Sequence, residues 1–406
     1  MENLDEYEWV KKEIVPKIAK VLVKDGINFQ CEITVPTDSY FMSSLYMVEL
    51  IFRSVAEEEI EKIKLVVKVP PKNQSTCICM RTDILFHNEI IFYKKFAKNY
   101  SDYPKCVLII TEPRIAIVIE NIMDFGYKST HSNEELDMKR ALAAVREIGK
   151  FHARGYVLKE KNPEEFFRVA NELREIYDDT ADPVMIECVN RLSMIPINYL
   201  QSVKYDPSFC KAISKFFNNA HKYILQDCVE PRNELAVLCH GDFTSNNVLF
   251  KEEDDGEFKA MLIDFAQFRY ASPAIDVSTF LHLSCKDETR KNFTVIFKAY
   301  HDIIIDYLAE HGIQDIDRYS FDAFLKDYKR HAIIGCGIAI YFTPFLFLDH
   351  EITFEELMQD RAKHFEDLMS SGGDVLSKRL ADMLLELREN GSEDIKSVKI
   401  MNYVSK

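Results

Sequence analysis

The chain has no Cys-x-x-Cys pair, no apolar leader, no apolar stretch long enough for a membrane span and no surplus of positive charge. Each absence removes a class of function. The ten cysteines, at 31, 77, 79, 106, 188, 210, 228, 239, 285 and 336, are scattered and several fall inside apolar runs, the pattern of buried, reduced thiols. The N-terminus, Met1-Glu-Asn-Leu-Asp-Glu6, is acidic and lacks the hydrophobic core of a signal peptide. The longest apolar run, 332–348, is short for a span and carries Gly335, Gly337, Tyr341, Thr343 and Pro344, so a buried helix is expected there. A formal net charge of −15 argues against a partner with a phosphate backbone. A cytoplasmic protein is expected, with no nucleic acid, no membrane and no obligate protein partner.

What is present suits a large folded enzyme. With 406 residues, 47% of them apolar and 29% charged, the chain can build two or three domain-sized units or two lobes around sizeable cores. Neither internal repeats nor low-complexity segments interrupt it.

Its most informative stretch is Leu238-Cys-His-Gly-Asp-Phe-Thr-Ser-Asn-Asn-Val-Leu-Phe250. His240, Gly241, Asp242 and Asn247 form a polar loop between two apolar runs, and Asp264 follows in Met261-Leu-Ile-Asp-Phe265. This set suits phosphoryl transfer. A loop Asp accepts the proton of an attacking hydroxyl, while an Asn five residues later and a second Asp hold Mg²⁺ on the phosphates of ATP. A polar turn between buried strands is the plain alternative for any one member.

Upstream, strands are expected at 33–35, 45–52 and 63–69, after an N-terminal packing helix within 1–25 that Pro16 kinks. Lys68 lies on the third strand, and Glu89 on a largely apolar helix over 83–99. An unpaired carboxylate there would be costly, so Lys68 is its expected partner, forming a pair that grips the α- and β-phosphates. Two further strands, 106–111 and 115–119, lead to Glu120-Asn121-Ile122, where the backbone of Glu120 and Ile122 is expected to meet an adenine. Asp124-Phe-Gly126 is expected to be a turn, because it precedes the catalytic loop.

Downstream, Ser132-Asn-Glu-Glu135 reads as a capping box opening a helix to about 154, with His152 a core or capping histidine. Residues 156–235 read as an insertion with helices near 162, at 184–192 and at 209–225, placed where a small acceptor would need walls. Asp255-Gly256 marks a hairpin. Asp276 is expected to brace the catalytic loop by accepting backbone hydrogen bonds. Helices are expected over 277–370, the aromatic run 340–347 among them packing the core or flooring a pocket, and a last helix over 375–389. No long activation segment follows Asp264, which disfavours a protein substrate.

These residues resemble the ecdysteroid kinase-like (CHK kinase-like) family of small-molecule kinases, related to choline kinase and the aminoglycoside phosphotransferases. The resemblance runs from about residue 28 to 391. It is strongest at 238–250, Leu262-Ile-Asp-Phe-Ala-Gln-Phe-Arg-Tyr270, Ser272-Pro-Ala-Ile-Asp276, Glu120-Asn121-Ile122 and Ile148-Gly-Lys-Phe-His-Ala153. It implies an α+β, two-lobed protein kinase-like fold: an N-terminal antiparallel sheet lobe with one helix, residues 1–121, and a larger, mainly helical lobe, 122–406. It also implies ATP- and Mg²⁺-dependent phosphorylation of a hydroxyl on a small lipophilic molecule, such as an ecdysteroid-like steroid or hydroxylated xenobiotic. Asp242 would be the base, Asn247 and Asp264 the metal ligands, and Lys68 with Glu89 the phosphate grip. Two departures stand out. The loop 36–44, Pro-Thr-Asp-Ser-Tyr-Phe-Met-Ser-Ser, has neither the glycine nor the asparagine of the family, which leaves Ser43 and Ser44 as substitute phosphate donors. Ala266 stands where the family has Gln, with Gln267 one place later. The first departure keeps a second reading open, a weak or inactive kinase-like protein that binds a nucleotide or a lipophile.

Overall fold

The structure is a computed structural model that describes residues 6–22, 28–36, 42–53, 60–130, 135–178, 180–231, 234–313, 317–348, 356 and 360–389. The chain divides into two compact units, 1–128 and 129–406. The architecture is α+β, with an antiparallel sheet in the first unit and a mainly helical second unit.

The first unit is built on β1 (Phe29–Thr34), β2 (Ser44–Arg53), β3 (Ile60–Val69), β4 (Cys106–Ile110) and β5 (Ala116–Glu120), in the order β1-β2-β3-β5-β4. Alternation along the strands sorts the side chains. Tyr46, Val48 and Leu50 of β2, with Leu65, Val67 and Val69 of β3, bury one face against Trp9, Val10, Ile14, Val15 and Ile18. Lys68 pairs with Leu45 and Ile117 in the ladder and so stands on the opposite face.

The N-terminal helical segment is α-helical at Glu6–Trp9, π-helical at Val10–Ile14 and α-helical again at Val15–Leu22. The wide turn lies just ahead of Pro16, which has no N–H to continue the regular ladder. The unit therefore holds more than one helix: Gln74–Cys79 and Thr82–Ile91 follow β3, and the second runs on through a π turn, Phe92–Phe96.

In the second unit the long helix is Met138–Lys161, starting and ending later than its sequence signals suggest. Asp137 caps it, accepting from the Arg140 N–H at 3.0 Å, and residues 132–134 of the expected capping box lie outside the described residues. It stops where Asn162 turns to cap the next helix and Pro163 opens that helix. The insertion thus begins after Lys161. Helices Pro163–Ala170, Pro183–Leu192 and Pro207–Phe217 all start with proline behind an Asn or Asp cap, at 162, 182 and 206. Ile195–Ser202 carries no such side-chain cap, only Pro196 in its first turn, and was not expected as a separate helix. The helix expected over 209–225 is two pieces, Pro207–Phe217 and a π-helical His221–Asp227.

Helix Phe321–Leu346 contains most of the long apolar run, and among the described residues no helix is long and apolar enough to cross a membrane. Its aromatic end is only partly core: Ile340 and Thr343 are buried, whereas Phe347 is 45% exposed. The last helix among the described residues is Gly373–Glu389. Phe321–Leu346 packs on Ala274–Ser284 at Gly335, where a Cβ would sit 2.2 Å from the Ser278 carbonyl carbon and 2.3 Å from the Thr279 nitrogen.

That backbone-to-backbone approach reverses the usual sign of a helical glycine substitution. Gly335→Ala is expected to destabilise the chain by about 1–3 kcal/mol or more through overpacking, where glycine to alanine in an open helix stabilises by roughly 0.5–1 kcal/mol. Urea denaturation checks this, and an unchanged or raised midpoint would contradict the close packing.

Candidate active site

The polar loop 240–247 leaves β6 (Val237–Cys239), which pairs antiparallel with β9 (Arg269–Ala271). It enters the hairpin of β7 (Val248–Glu252) and β8 (Phe258–Leu262), whose turn holds Gly256 at φ +76°. The hairpin returns the chain to Asp264, and the Ile263 N–H donates to the Asn247 carbonyl at 3.0 Å. Two residues distant in sequence, Asn247 and Asp264, are thereby tied at their backbones.

Gly241 is required twice over. Its φ is +85°, and a Cβ there would lie 2.0 Å from the Gln267 carbonyl oxygen. The loop around it hangs on Asp276, a fully buried carboxylate on helix Ala274–Ser284. Asp276 accepts from the His240 N–H at 2.7 Å, the Gly241 N–H at 2.8 Å and His152 Nε2 at 2.9 Å. The carboxylate selects the His152 tautomer protonated at Nε2, so Nδ1 accepts from the Tyr300 hydroxyl at 2.8 Å. Burial alone would favour the neutral acid. The hydrogen bonds from His152 and from the Gly241 N–H win, and the Asp276 carboxyl titrates below its ordinary range.

Asp242 has the opposite balance. Burial first, then the charge of Asp264, push its carboxyl above the usual range, against His240, Asn247 and Arg269. Asn247 Nδ2 donates to the Asp242 carboxylate at 3.0 Å and to its carbonyl at 2.9 Å, which fixes the rotamer. The Asp242 N–H donates to His240 Nδ1 at 3.3 Å, and His240 Nε2 donates to the Ile263 carbonyl at 3.0 Å.

Asn247 spends its amide hydrogens on Asp242, and its side-chain carbonyl oxygen points elsewhere. Asp264 adopts φ +60°, in the left-handed region, and uses one carboxylate oxygen to accept from the Ala266 N–H at 3.3 Å. Asn247 and Asp264 together offer oxygen donors only, the ligand chemistry that suits Mg²⁺. His152, Cys239 and Asp276 also lie close enough to one another to hold a metal. Their atoms are otherwise committed, since the Cys239 thiol donates to the carbonyls of Val237 and Ala271 and burial holds it well above its ordinary pKa.

The remaining candidates belong to the first unit. Lys68 Nζ lies 2.8 Å from Glu89 Oε2, the two side chains 8% and 1% exposed, and 5.9 Å from the centre of the Phe86 ring. Ser43 is buried, and Ser44 opens β2 opposite Val69, the neighbour of Lys68. Residues 37–41 of the preceding loop lie outside the described residues. Glu120 ends β5 and gives its N–H to the Lys105 carbonyl at 2.9 Å, while Ile122 opens a 3₁₀ turn, Ile122–Phe125, with its side chain buried. Gly126 closes that turn at φ +85°, and Asp124 bonds Lys64 at 2.7 Å.

The sequence reads His152 as a core or capping histidine; it is buried in the core and is also bonded to Asp276. Arg269 went unremarked, although a cation in the otherwise apolar Phe268-Arg-Tyr270 stretch is itself a signal that a buried partner is near.

The family model for the ecdysteroid kinase-like family matches residues 37–313, well over half of the chain. No curated protein matches it. Among solved structures, the chain is similar to choline kinase from Cryptosporidium parvum, at 12% identity over 92% of each chain and a TM-score of 0.42. It is similar to the ethanolamine kinase of Plasmodium vivax, at 10% identity over 89% of this chain and 83% of that one, TM-score 0.43. The GDP complex of wild-type aminoglycoside 2′-phosphotransferase-IIIa is a third, at 11% identity over 94% and 98%, TM-score 0.40. Matched from the first-sheet loop through the catalytic loop and beyond it, the chain belongs to the ecdysteroid kinase-like family of small-molecule kinases.

Proposed function

We propose that this protein uses ATP to phosphorylate a hydroxyl group on a small lipophilic molecule, of the ecdysteroid or hydroxylated xenobiotic kind. The observation that carries the reading is the state of Asp242: a carboxylate with a fixed rotamer, held above its ordinary pKa and bonded to Asn247. A general base works best when its pKa approaches the working pH, and burial beside Asp264 moves Asp242 in that direction. In this reading Asp242 accepts the proton of the attacking hydroxyl. Asn247 orients it, and Asp276 keeps the His240–Gly241 backbone rigid beneath it. Lys68, steadied by Glu89, binds phosphate oxygens, with Ser43 and Ser44 as further donors and the backbone at Glu120 and Ile122 meeting the base. Asn247 and Asp264 would hold Mg²⁺, which would supply positive charge to the phosphates. None of the ten cysteines, all among the described residues, forms a disulfide, which supports a reducing, cytoplasmic setting.

Transfer from labelled ATP to a panel of hydroxylated steroids and plant metabolites tests the reading. Wild type is expected to turn over with Mg²⁺ and Asp242→Asn to lose about 10²-fold or more, the scale of a missing general base. Equal rates would remove Asp242 from the chemistry.

The same substitution has a second signature. An acid whose folded pKa is raised contributes stability below its unfolded pKa and loses it as pH rises through the folded value. At neutral pH the ionised Asp242 therefore weighs against the fold, so Asp242→Asn is expected to raise Tm while abolishing transfer. A lowered Tm at pH 7 and an unchanged one at pH 4 would contradict the burial argument.

Lys68→Met leaves Glu89 buried without its cation, and a loss of about 3–5 kcal/mol is expected by denaturation. The double variant Lys68→Met/Glu89→Gln should recover part of that stability and none of the activity. Full activity in either would reject the phosphate-binding role.

A further inference from the structure

Helix Ala274–Ser284 meets the catalytic loop with three side chains spaced four residues apart, on one face of the helix. Asp276 takes the N–H groups of His240 and Gly241. The Phe280 ring stacks on Phe243 with 4.4 Å between centres, and the Ser284 hydroxyl oxygen accepts from the Ser245 N–H at 2.7 Å. All three helix side chains are buried. The loop partners advance from 241 to 243 to 245 as the helix advances from 276 to 280 to 284. Four helical residues rise about 6 Å, and two residues of extended chain span about 6.6 Å. The loop therefore lies alongside the helix in register, each turn of helix serving the next pair of loop residues.

Ser284 makes the contact on the Asn247 side of the loop. Thr244 is extended, at φ −129° and ψ 167°, and Ser245 then opens the 3₁₀ turn Ser245–Asn247, in which the Asn247 N–H donates to the Thr244 carbonyl at 3.0 Å. The Ser245 carbonyl accepts from the Val248 N–H and from the Thr130 hydroxyl, the latter at 3.4 Å. Asn247 in turn accepts the Ile263 N–H beside Asp264, so the position of the turn reaches both oxygen ligands. The last residue of a helix ordinarily frays. Here the Ser284 carbonyl accepts from the N–H of the buried Leu136 at 2.7 Å, and the Leu136 carbonyl accepts from the Lys286 N–H at 3.3 Å and the Thr289 hydroxyl at 3.2 Å. The hydroxyl is held in place by that staple.

We propose that Ser284 is a positioning residue for the metal-binding half of the catalytic loop. By accepting the Ser245 N–H it sets the turn that presents Asn247, as Asp276 sets the backbone ahead of Asp242. The proposal rests on the kinase reading for the role of Asn247. Both anchors belong to one rigid helix and stand about 12 Å apart along its axis, so a single element fixes the spacing between the base and the metal ligands. Removing the hydroxyl leaves the Ser245 N–H without its acceptor, while the contacts of Asp276 and Phe280 persist.

Amide hydrogen exchange on the full chain, free of nucleotide and metal, reads the anchor directly. Ser284→Ala is expected to speed exchange at the Ser245 N–H about three- to tenfold, the worth of one neutral hydrogen bond, and to leave the His240 and Gly241 N–H groups as protected as in wild type. Mn²⁺ titrated into the chain saturated with β,γ-imido-ATP, followed by electron paramagnetic resonance, should show a Kd raised by a similar factor, with kcat lowered in step. The Kd for the nucleotide without metal should stay unchanged. Ser284→Thr keeps the hydroxyl and should restore both readouts; Ser284→Val, of the same shape without it, should not. Equal exchange at Ser245 in wild type and Ser284→Ala overturns the proposal. So does an unchanged Mn²⁺ Kd, or one that the Thr and Val variants raise equally. Wild type that binds Mn²⁺, with the expected loss in Ser284→Ala, but transfers phosphate to no acceptor would defeat the kinase reading and leave the role of Ser284 standing.

Discussion

A single buried carboxylate organises the second unit. Asp276 sits with no solvent exposure at the start of helix Ala274–Ser284 and receives two backbone N–H groups and one imidazole. An ionised group in that position is tolerable only when each lone pair has a donor. The donors are the peptide groups of His240 and Gly241, so satisfying Asp276 fixes the backbone from which Asp242 projects. Helix Met138–Lys161 supplies the third donor, His152, and helix Phe293–Glu310 supplies Tyr300 behind it. The loop is thus set by the core of the helical unit.

The neighbouring acids divide in consequence. Asp276 has an abundance of donors and is held ionised, whereas Asp242 is half-buried beside another acid, and desolvation and that neighbour's charge outweigh Asn247, His240 and Arg269 and raise its pKa. The pKa values of the two aspartates are thus pushed in opposite directions by their surroundings. The left-handed backbone at Asp264 belongs to the same economy: local strain is sustained where the surrounding hydrogen bonds over-determine the position.

Much of the active-site set was legible because its signals are short-range. A Gly between His and Asp, an Asn five residues on, and Asp255-Gly256 between two apolar runs each reflect local backbone demands, and the hairpin and loop stand where those signals put them. Lys68 stood out in the same way, as a lone cation among Val66, Val67 and Val69 ahead of the apolar helix that carries Glu89. What was illegible depended on partners far along the chain. Strand β9, three residues long, exists only by pairing with β6, and helix Ile195–Ser202 forms without a side-chain cap because its Ile195, Ile197 and Leu200 find burial. The contacts of Arg269 with Glu175 and Tyr177 join segments about ninety residues apart, which no periodicity encodes.

The amino-acid sequence by itself determined the kind of chemistry, since acid, amide and lysine types at those spacings suit phosphate and hydroxyl and little else. It also determined strands over 33–35, 45–52 and 63–69, through short apolar runs that need only neighbours. Tertiary structure alone decided the state of each acid. Whether an aspartate is held ionised or pushed toward neutrality depends on how many donors and charges converge on it through space, and His152, Tyr300 and Asp276 come from three helices. In the same way only the folded chain decides that Glu175 and Tyr177 stand beside Arg269, because burial and hydrogen bonding are properties of where chain segments meet.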